Sequence, residues 1–509
     1  MSQLETAGCQ HRRQESVYEP AFERRDRPLT ADTTQHRNWT RRTVLTGSLA
    51  SAAALALGSR AQAADALEIG TVGDLDALAR RLQGRMLTNS ASGYDDARKV
   101  WNKAYDRRPL AIVRCADLDD VRRCMVFAQR HALPVAIRGG GHSYAGFGVA
   151  DGAIQVDLRD FNSVRVDPAK RLASVGGGVK IRDLLTATLA TGLYTPMGAC
   201  GAVGVAGLAL AGGDTGGRGL FGTACDNIVG AQLVTAGGEV LELGPHQNED
   251  LYWAIRGGGG NFGVVTRLDF RLHPTPTAQT IRFSFGWRDI EGAMRTFGDL
   301  VRETPDEVRA GFHVSADTGA SASFGHYGNP QAAAVYLARW EMAFPRSEAQ
   351  RATSMPNAQG EVWDSTALAV DGAFLERLDD GPIDVFSRAA LAGRGFGSIL
   401  MGLSNGQAAR IGMTDTAYPL RGTGLSSLLS ATWERPEDRE RSERWVAEYG
   451  TALRPWARRA YVNYLGPSTP ERIREVYGSN YLRLARIKAK YDTANLFRSN
   501  QNILPASAI

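Results

Sequence analysis

Cysteine is scarce in this chain. There are five in 509 residues, Cys9, Cys115, Cys124, Cys200 and Cys225, with no CxxC pair and no Cys/His spacing of metal-ligand type. A zinc or iron–sulfur centre is therefore not expected, and no residue is assigned to a metal. Charge of one sign is also scarce: the formal balance is +5, and three of those charges fall in residues 1–63. The remainder has too little positive excess to suggest a nucleic-acid partner. No apolar run is long enough for a comfortable membrane span. The phosphate-binding pattern GxxxxGK[ST] does not occur, and the GxSxG at Gly402–Gly406 is a chance match expected in a glycine-rich chain.

Glycine, by contrast, is abundant, with 57 residues. Much of it sits in three blocks: RGGGHSYAGFG at 138–148, MGACGAVGVAGLALAGGDTGGRGLFGTACDNIVGAQLV at 197–234, and AIRGGGGNFGVVTRLDF at 254–270. Runs without a Cβ let backbone amides approach a bulky or phosphorylated ligand closely. The third block contains GxGxxG at Gly258, Gly260 and Gly263, but a strand pattern follows it. A dinucleotide fingerprint needs a helix there, so that reading fails.

Two domains or more are expected from the length. Residues 65–274 alternate short β-branched runs with helical stretches, an α+β pattern. Longer strands and amphipathic helices follow to about Arg454, with HPTPT at 273–277 as a plausible crossover. The tail, ERIREVYGSNYLRLARIKAKYD, is helical. The boundaries expected are 1–63, 64–275, 276–455 and 456–509.

Near the N-terminus, Arg41 and Arg42 precede the short apolar TGSLASAAALALGS, and Ala61-Gln62-Ala63 fits a cleavage site. The segment resembles a twin-arginine signal, which implies export, removal of Cys9 and a cofactor acquired before crossing. An amphipathic helix and a disordered extension are the alternatives. For the remaining cysteines, a disulfide stays open in an exported protein.

The three blocks, the Tyr461–Tyr464 YVNY, and YGSNYLRLARIKAKYD with NLF and NQNI after it together resemble the berberine-bridge-enzyme-like flavin oxidases, of the vanillyl-alcohol-oxidase superfamily with its PCMH-type FAD-binding domain. The resemblance covers about 95–275 and 410–505. It implies a two-lobed α+β fold: an FAD lobe from 64–275 and 456–509, and a substrate lobe with an antiparallel sheet covered by helices. FAD is the implied cofactor, bonded through His142 at the flavin 8α-methyl and Cys200 at C6. The cofactor set further comprises Arg138, Gly139, Gly140, Gly141, Ser143, Val203, Gly204, Gly207, Gly212, Asn227, Gly260, Asn261, Phe262, Gly263, Val264, Tyr464, Asn500 and Asn502.

Tyr464 matches the family's catalytic base, with Tyr461 and Tyr144 beside it. A phenol is a weak base at its ordinary pKa, so a cationic neighbour or the flavin edge must lower it. If YVNY were a regular strand, its alternation would put the two tyrosines on opposite faces. Val203 falls where oxidases of the family carry a small residue, which implies molecular oxygen as acceptor. The implied reaction is oxidation of an alcohol-type carbon in a small molecule, a sugar, aromatic alcohol or secondary metabolite. The alternatives are a dehydrogenase with another acceptor and a non-catalytic flavin-binding protein. The sequence departs from the family at 211–221, AGGDTGGRGLF, and at Leu208 and Leu420, where histidine is common. Trp340, Trp363 and Trp433 are expected in the core.

Overall fold

The structure is a computed structural model that describes residues 74–213, 217–356 and 364–508, all within one compact unit, Gly70–Ile509. The twin-arginine segment, Cys9, Asp214, Thr215 and Trp363 lie outside the described residues.

A four-stranded sheet carries the first glycine block. Its strands Ala111–Arg114 and Val135–Arg138 both pair in parallel with Ile154–Asp157. The crossover is the helix Leu118–Arg130, which starts where the Asp117 side chain accepts from the Asp120 amide at 2.9 Å. Cys115 and Cys124 are buried between this helix and the sheet as free thiols.

A five-stranded antiparallel sheet carries the other two blocks. The second block ends in the strand Ile228–Val234, which pairs with Val264–Arg271 directly after the third. A strand, not a helix, thus follows Gly263, as the sequence indicates. HPTPT is pinned rather than free, because His273–Pro274 pairs with Leu193–Tyr194.

A seven-stranded sheet, antiparallel throughout, runs from Ala278 to Trp433. Alternation gives it two different faces. One face presents Ile281, Phe283, Phe312, Phe324, Ile399, Met401 and Leu429 to a core closed by the helices Ile290–Arg302, Pro330–Ala343, Asp380–Ala392 and Arg439–Ala452. Trp340 is in this core, fully buried against Phe324. The other face turns small and polar side chains toward the glycine-rich loops. Ser404 of the GxSxG match ends one of these strands just before the short helix Gly406–Arg410, but its side chain is buried rather than presented as an exposed nucleophile.

The C-terminal helices Pro470–Tyr477 and Tyr481–Tyr491 return to the core of the five-stranded sheet through Ile473, Val476, Tyr477 and Leu484. The fold is α+β, with the helix-covered antiparallel sheet facing the glycine-rich half across a cavity.

Candidate active site

Gly139–Gly141 leave the end of the strand Val135–Arg138, and Gly141 has φ +70°. A Cβ on Gly140 would lie 2.3 Å from the Gly204 nitrogen, and one on Gly204 would lie 2.4 Å from the Gly140 nitrogen. The first and second blocks therefore meet backbone to backbone, which only glycine permits. That contact brings His142 and Cys200 to the wall of one cavity of about 820 Å³. Gly139, Ser143, Tyr144, Val203 and Gly207 line it as well.

His142 stacks on Trp101 with ring centroids 5.1 Å apart and planes 22° apart. Burial, with Lys180 and Arg182 nearby, holds its imidazole pKa down at about 4, so the ring is neutral at pH 7 with a free lone pair. Cys200 is buried, and its carbonyl accepts from the Val203 amide at 3.2 Å.

Gly260, Asn261 and Gly263 of the third block and Asn500 of the tail form another part of the wall. Asn261 ties loop to tail. Its Nδ2 donates to the carbonyls of Gly258 at 2.8 Å and Gln501 at 3.2 Å, while its Oδ1 accepts from the Ile503 amide at 3.0 Å. The buried Lys488 ammonium donates to the Asn261 carbonyl at 2.8 Å, to the Phe497 carbonyl at 3.0 Å and to Asp492 at 2.6 Å. Burial holds its pKa down at about 8.

Val462–Tyr464 is a turn of 3₁₀-helix, not a strand, closed by the Tyr464 amide donating to the Tyr461 carbonyl at 2.8 Å. Three residues per turn eclipse positions i and i+3, so both rings share one side. Their centroids are 4.9 Å apart at 74°, and both line the cavity. The Tyr461 hydroxyl accepts from the Gly213 amide at 3.1 Å and the Asn463 amide nitrogen at 2.9 Å. Burial pushes both phenols up, and for Tyr464 the Arg218 guanidinium opposes that push. Tyr144 packs with Trp101 and Tyr464 against Leu368, Val370 and Leu428.

Six of the expected cofactor residues stand outside the cavity wall. Arg138 turns its guanidinium to the Ala97 carbonyl. Gly212, at φ +126°, lies against the Tyr418 ring, where a Cβ would be 2.3 Å away. Asn227 closes the turn before its strand, donating to the carbonyls of Phe221 at 3.0 Å and Thr223 at 2.9 Å. Phe262 and Val264 are fully buried in two different cores. Asn502 is adjacent to the tail wall, with its Oδ1 buried and unpartnered. Cys225 is fully buried, its thiol pushed up to about 12, and has no part in the wall. Leu420 belongs to the core, and Leu208 lines the cavity.

Sequence reading missed Trp101 and Arg218. Trp101 lies some forty residues before His142 with no motif around it. Arg218 sits inside the aberrant loop, buried, with Nε donating to the Leu403 carbonyl at 2.7 Å. Its charge favours the ionised Tyr464 phenol, against the larger upward push of burial.

A dinucleotide-sized flavin cofactor fits this site. The volume is of the size that cofactor pockets occupy, and glycine backbone forms much of one side. On the tail, buried Oδ1 atoms of Asn500 and Asn502 and the Oε1 of Gln501 lack partners among the described residues, as expected beside a polar ligand.

Residues 109–244 match the family model described as FAD binding domain, and 460–504 match that described as Berberine and berberine like. The chain is 29% identical over 448 residues to (R)-6-hydroxynicotine oxidase of Paenarthrobacter nicotinovorans, covering 83% of this chain and 97% of that one. Among solved structures it resembles Physcomitrella patens BBE-like 1 (25% identity, TM-score 0.77, covering 85% of this chain and 99% of that one). It also resembles 6-hydroxy-D-nicotine oxidase from Arthrobacter nicotinovorans (28%, TM-score 0.73, covering 83% and 98%). Both matched segments contribute residues to one cavity, and the likeness runs over nearly the full length of these relatives: the chain carries an FAD-binding domain and a berberine-like segment and is similar to the berberine-bridge-enzyme-like FAD-linked oxidoreductases.

Proposed function

We propose that this enzyme oxidises an alcohol-type carbon of a small molecule, a sugar, aromatic alcohol or secondary metabolite, with FAD bonded to both His142 and Cys200. The observation that carries the reading is the convergence, in one cavity, of a neutral imidazole, a buried thiol and a tyrosine pair on one 3₁₀ turn. Bound FAD supplies the hydride acceptor and passes electrons on to oxygen, giving hydrogen peroxide. Everything else is asked of the chain. Tyr464 takes the proton of the substrate hydroxyl as the hydride leaves. Arg218 stabilises the resulting phenolate, and Tyr461, fixed by Gly213 and Asn463, holds the neighbouring ring. The FAD lobe would be 64–275 with 456–509, and the substrate lobe 276–455.

The test is a screen of alcohols and sugars for peroxide formation, with Tyr464→Phe as the parallel blank. Peroxide produced by the wild type and lost in the variant supports the reading. Equal turnover by both removes Tyr464 as base and favours a protein that holds flavin without this chemistry. Val203 lines the cavity and supports oxygen as acceptor. If Val203→Leu leaves oxygen consumption unchanged while an artificial acceptor is preferred by both forms, the dehydrogenase alternative replaces the oxidase. The reading includes export directed by Arg41 and Arg42. Arg41→Lys with Arg42→Lys, followed by fractionation of the producing cells, would retain the protein in the cytoplasm if that part is right.

A further inference from the structure

Three residues that no motif marks, Trp101 to Lys103, clasp the loop that carries His142 to the start of Ala367–Leu375, an edge strand of the seven-stranded sheet. The Trp101 amide donates to the carbonyl of Gly141, immediately before His142, at 2.9 Å, and the Trp101 carbonyl accepts from the Ser365 hydroxyl at 2.6 Å. The Lys103 amide donates to the Thr366 carbonyl at 2.8 Å. Between them Asn102 is fully buried, its side chain engaged wholly with backbone. Its Nδ2 donates to the carbonyls of Tyr144 at 2.6 Å and Leu368 at 3.0 Å, while its Oδ1 accepts from the amides of Ala104 at 3.0 Å and Leu368 at 3.2 Å. The loop is therefore fixed on both sides of His142, at Gly141 and at Tyr144.

On that platform the Trp101 indole lies against the His142 imidazole, with centroids 5.1 Å apart and planes 22° apart, and against the Tyr144 ring at 5.8 Å and 56°. His142 and Tyr144 line the cavity, and Trp101 does not. The indole thus backs the wall, and what it does for a ligand it does through the imidazole. An imidazole bonds through a lone pair lying in its ring plane, so the direction of that plane decides whether a nitrogen reaches a carbon in the cavity. The torsion that tilts the ring is a broad one when nothing packs on it, and a stacked indole narrows it.

We propose that Trp101 is the positioning residue for flavin attachment: by stacking on His142 it holds the imidazole in the orientation from which a ring nitrogen bonds the 8α carbon of FAD. In that step a C–H bond of the methyl group and the imidazole N–H break and the C–N bond forms. The two electrons released reduce the flavin ring and pass on to molecular oxygen, which leaves with the two protons as hydrogen peroxide. The link at Cys200, made from the second glycine block, does not draw on the imidazole plane. The inference rests on the reading in which FAD is bonded to both His142 and Cys200.

The test follows covalent labelling of full-length protein, made under flavin starvation and mixed with FAD in air, by flavin fluorescence on denaturing gels. Two backgrounds each leave one link. In Cys200→Ala, where only His142 can bond, Trp101→Leu is expected to slow labelling by about tenfold or more, and Trp101→Phe, which keeps a flat ring, to restore most of the rate. In His142→Ala, where only Cys200 can bond, Trp101→Leu is expected to label as fast as its parent. FAD affinity before bonding, read by quenching of flavin fluorescence, and the melting curve should stay with the parent in each pair. Equal labelling of Trp101→Leu and its parent in the Cys200→Ala background, equal slowing in both backgrounds, a Trp101→Phe as slow as Trp101→Leu, or loss of FAD binding itself overturns the proposal. A Cys200→Ala protein that binds FAD and never takes the label overturns the His142 link and the proposal together. If only His142→Ala takes no label, the doubly bonded reading falls, and the Cys200→Ala pair, with FAD affinity and melting as its controls, still decides for or against Trp101.

Discussion

The rings of Tyr461 and Tyr464 meet edge to face at 4.9 Å because the segment between them is a single 3₁₀ turn. The same turn sets them apart chemically. Tyr461 spends its hydroxyl on Gly213 and Asn463, while Tyr464 faces Tyr144 and the field of Arg218. Removing the Tyr464 hydroxyl is expected to lower kcat by about 10²–10³-fold, within the range of a lost general base, with flavin content unchanged. Stopped-flow flavin reduction reads this directly.

Burial raises the Tyr464 phenol and Arg218 lowers it, so the rate should climb with pH on an alkaline limb. Arg218→Met removes the opposing cation and is expected to move that limb to still higher pH. A pH–rate profile of the reductive half-reaction checks the sign, and a limb that moves to lower pH would contradict it.

His142 is neutral down to about pH 4, since burial and two cations oppose its protonation. Only the neutral ring carries a lone pair for bond formation. Covalent flavin attachment to protein made under flavin starvation should therefore proceed equally fast at pH 7.5 and pH 5. An imidazole with the ordinary pKa of about 6.5 would lose about 30-fold at the lower pH. Fluorescence of the flavin band on denaturing gels, taken over time, measures it.

Gly140→Ala drives a Cβ into the Gly204 backbone at 2.3 Å and is expected to cost about 2–3 kcal/mol, with a lower melting temperature and poor flavin content. Gly260→Ala meets no protein atom within 4 Å and should change stability by less than about 0.5 kcal/mol. Loss of flavin in the second variant alone would then report on the cofactor rather than the fold.

Lys488→Met leaves the Asp492 carboxylate buried without its cation, although the Leu496 and Phe497 amides still donate to it at 2.8 and 2.9 Å. The expected cost is about 3 kcal/mol, read in denaturant melts. The double variant Lys488→Met, Asp492→Asn should recover part of it.

Much of the architecture was legible in the sequence, because glycine spacing and strand alternation are local signals. RGGGH announces a loop where a ligand approaches backbone, and the strand after Gly263 rules out a dinucleotide fingerprint. YVNY was ambiguous, since two tyrosines three apart read as opposite faces of a strand or one side of a 3₁₀ turn, and only the turn's hydrogen bond decides. Asn227, Phe262 and Val264 entered the expected cofactor set through the family resemblance. Their side chains instead serve a turn and two cores. Arg218 and Trp101 were invisible because their roles depend on contacts across the fold, with Leu403 and His142.

If one flavin is bonded to His142 and Cys200 together, its colour cannot be separated from the chain, and intact mass with a visible spectrum of acid-precipitated protein reads this out. Wild type should give a yellow pellet carrying the mass of one FAD. His142→Ala and Cys200→Ala should each retain it, and the double variant should release it. A colourless pellet from yellow wild-type protein, or a label that survives in the double variant, would contradict the account.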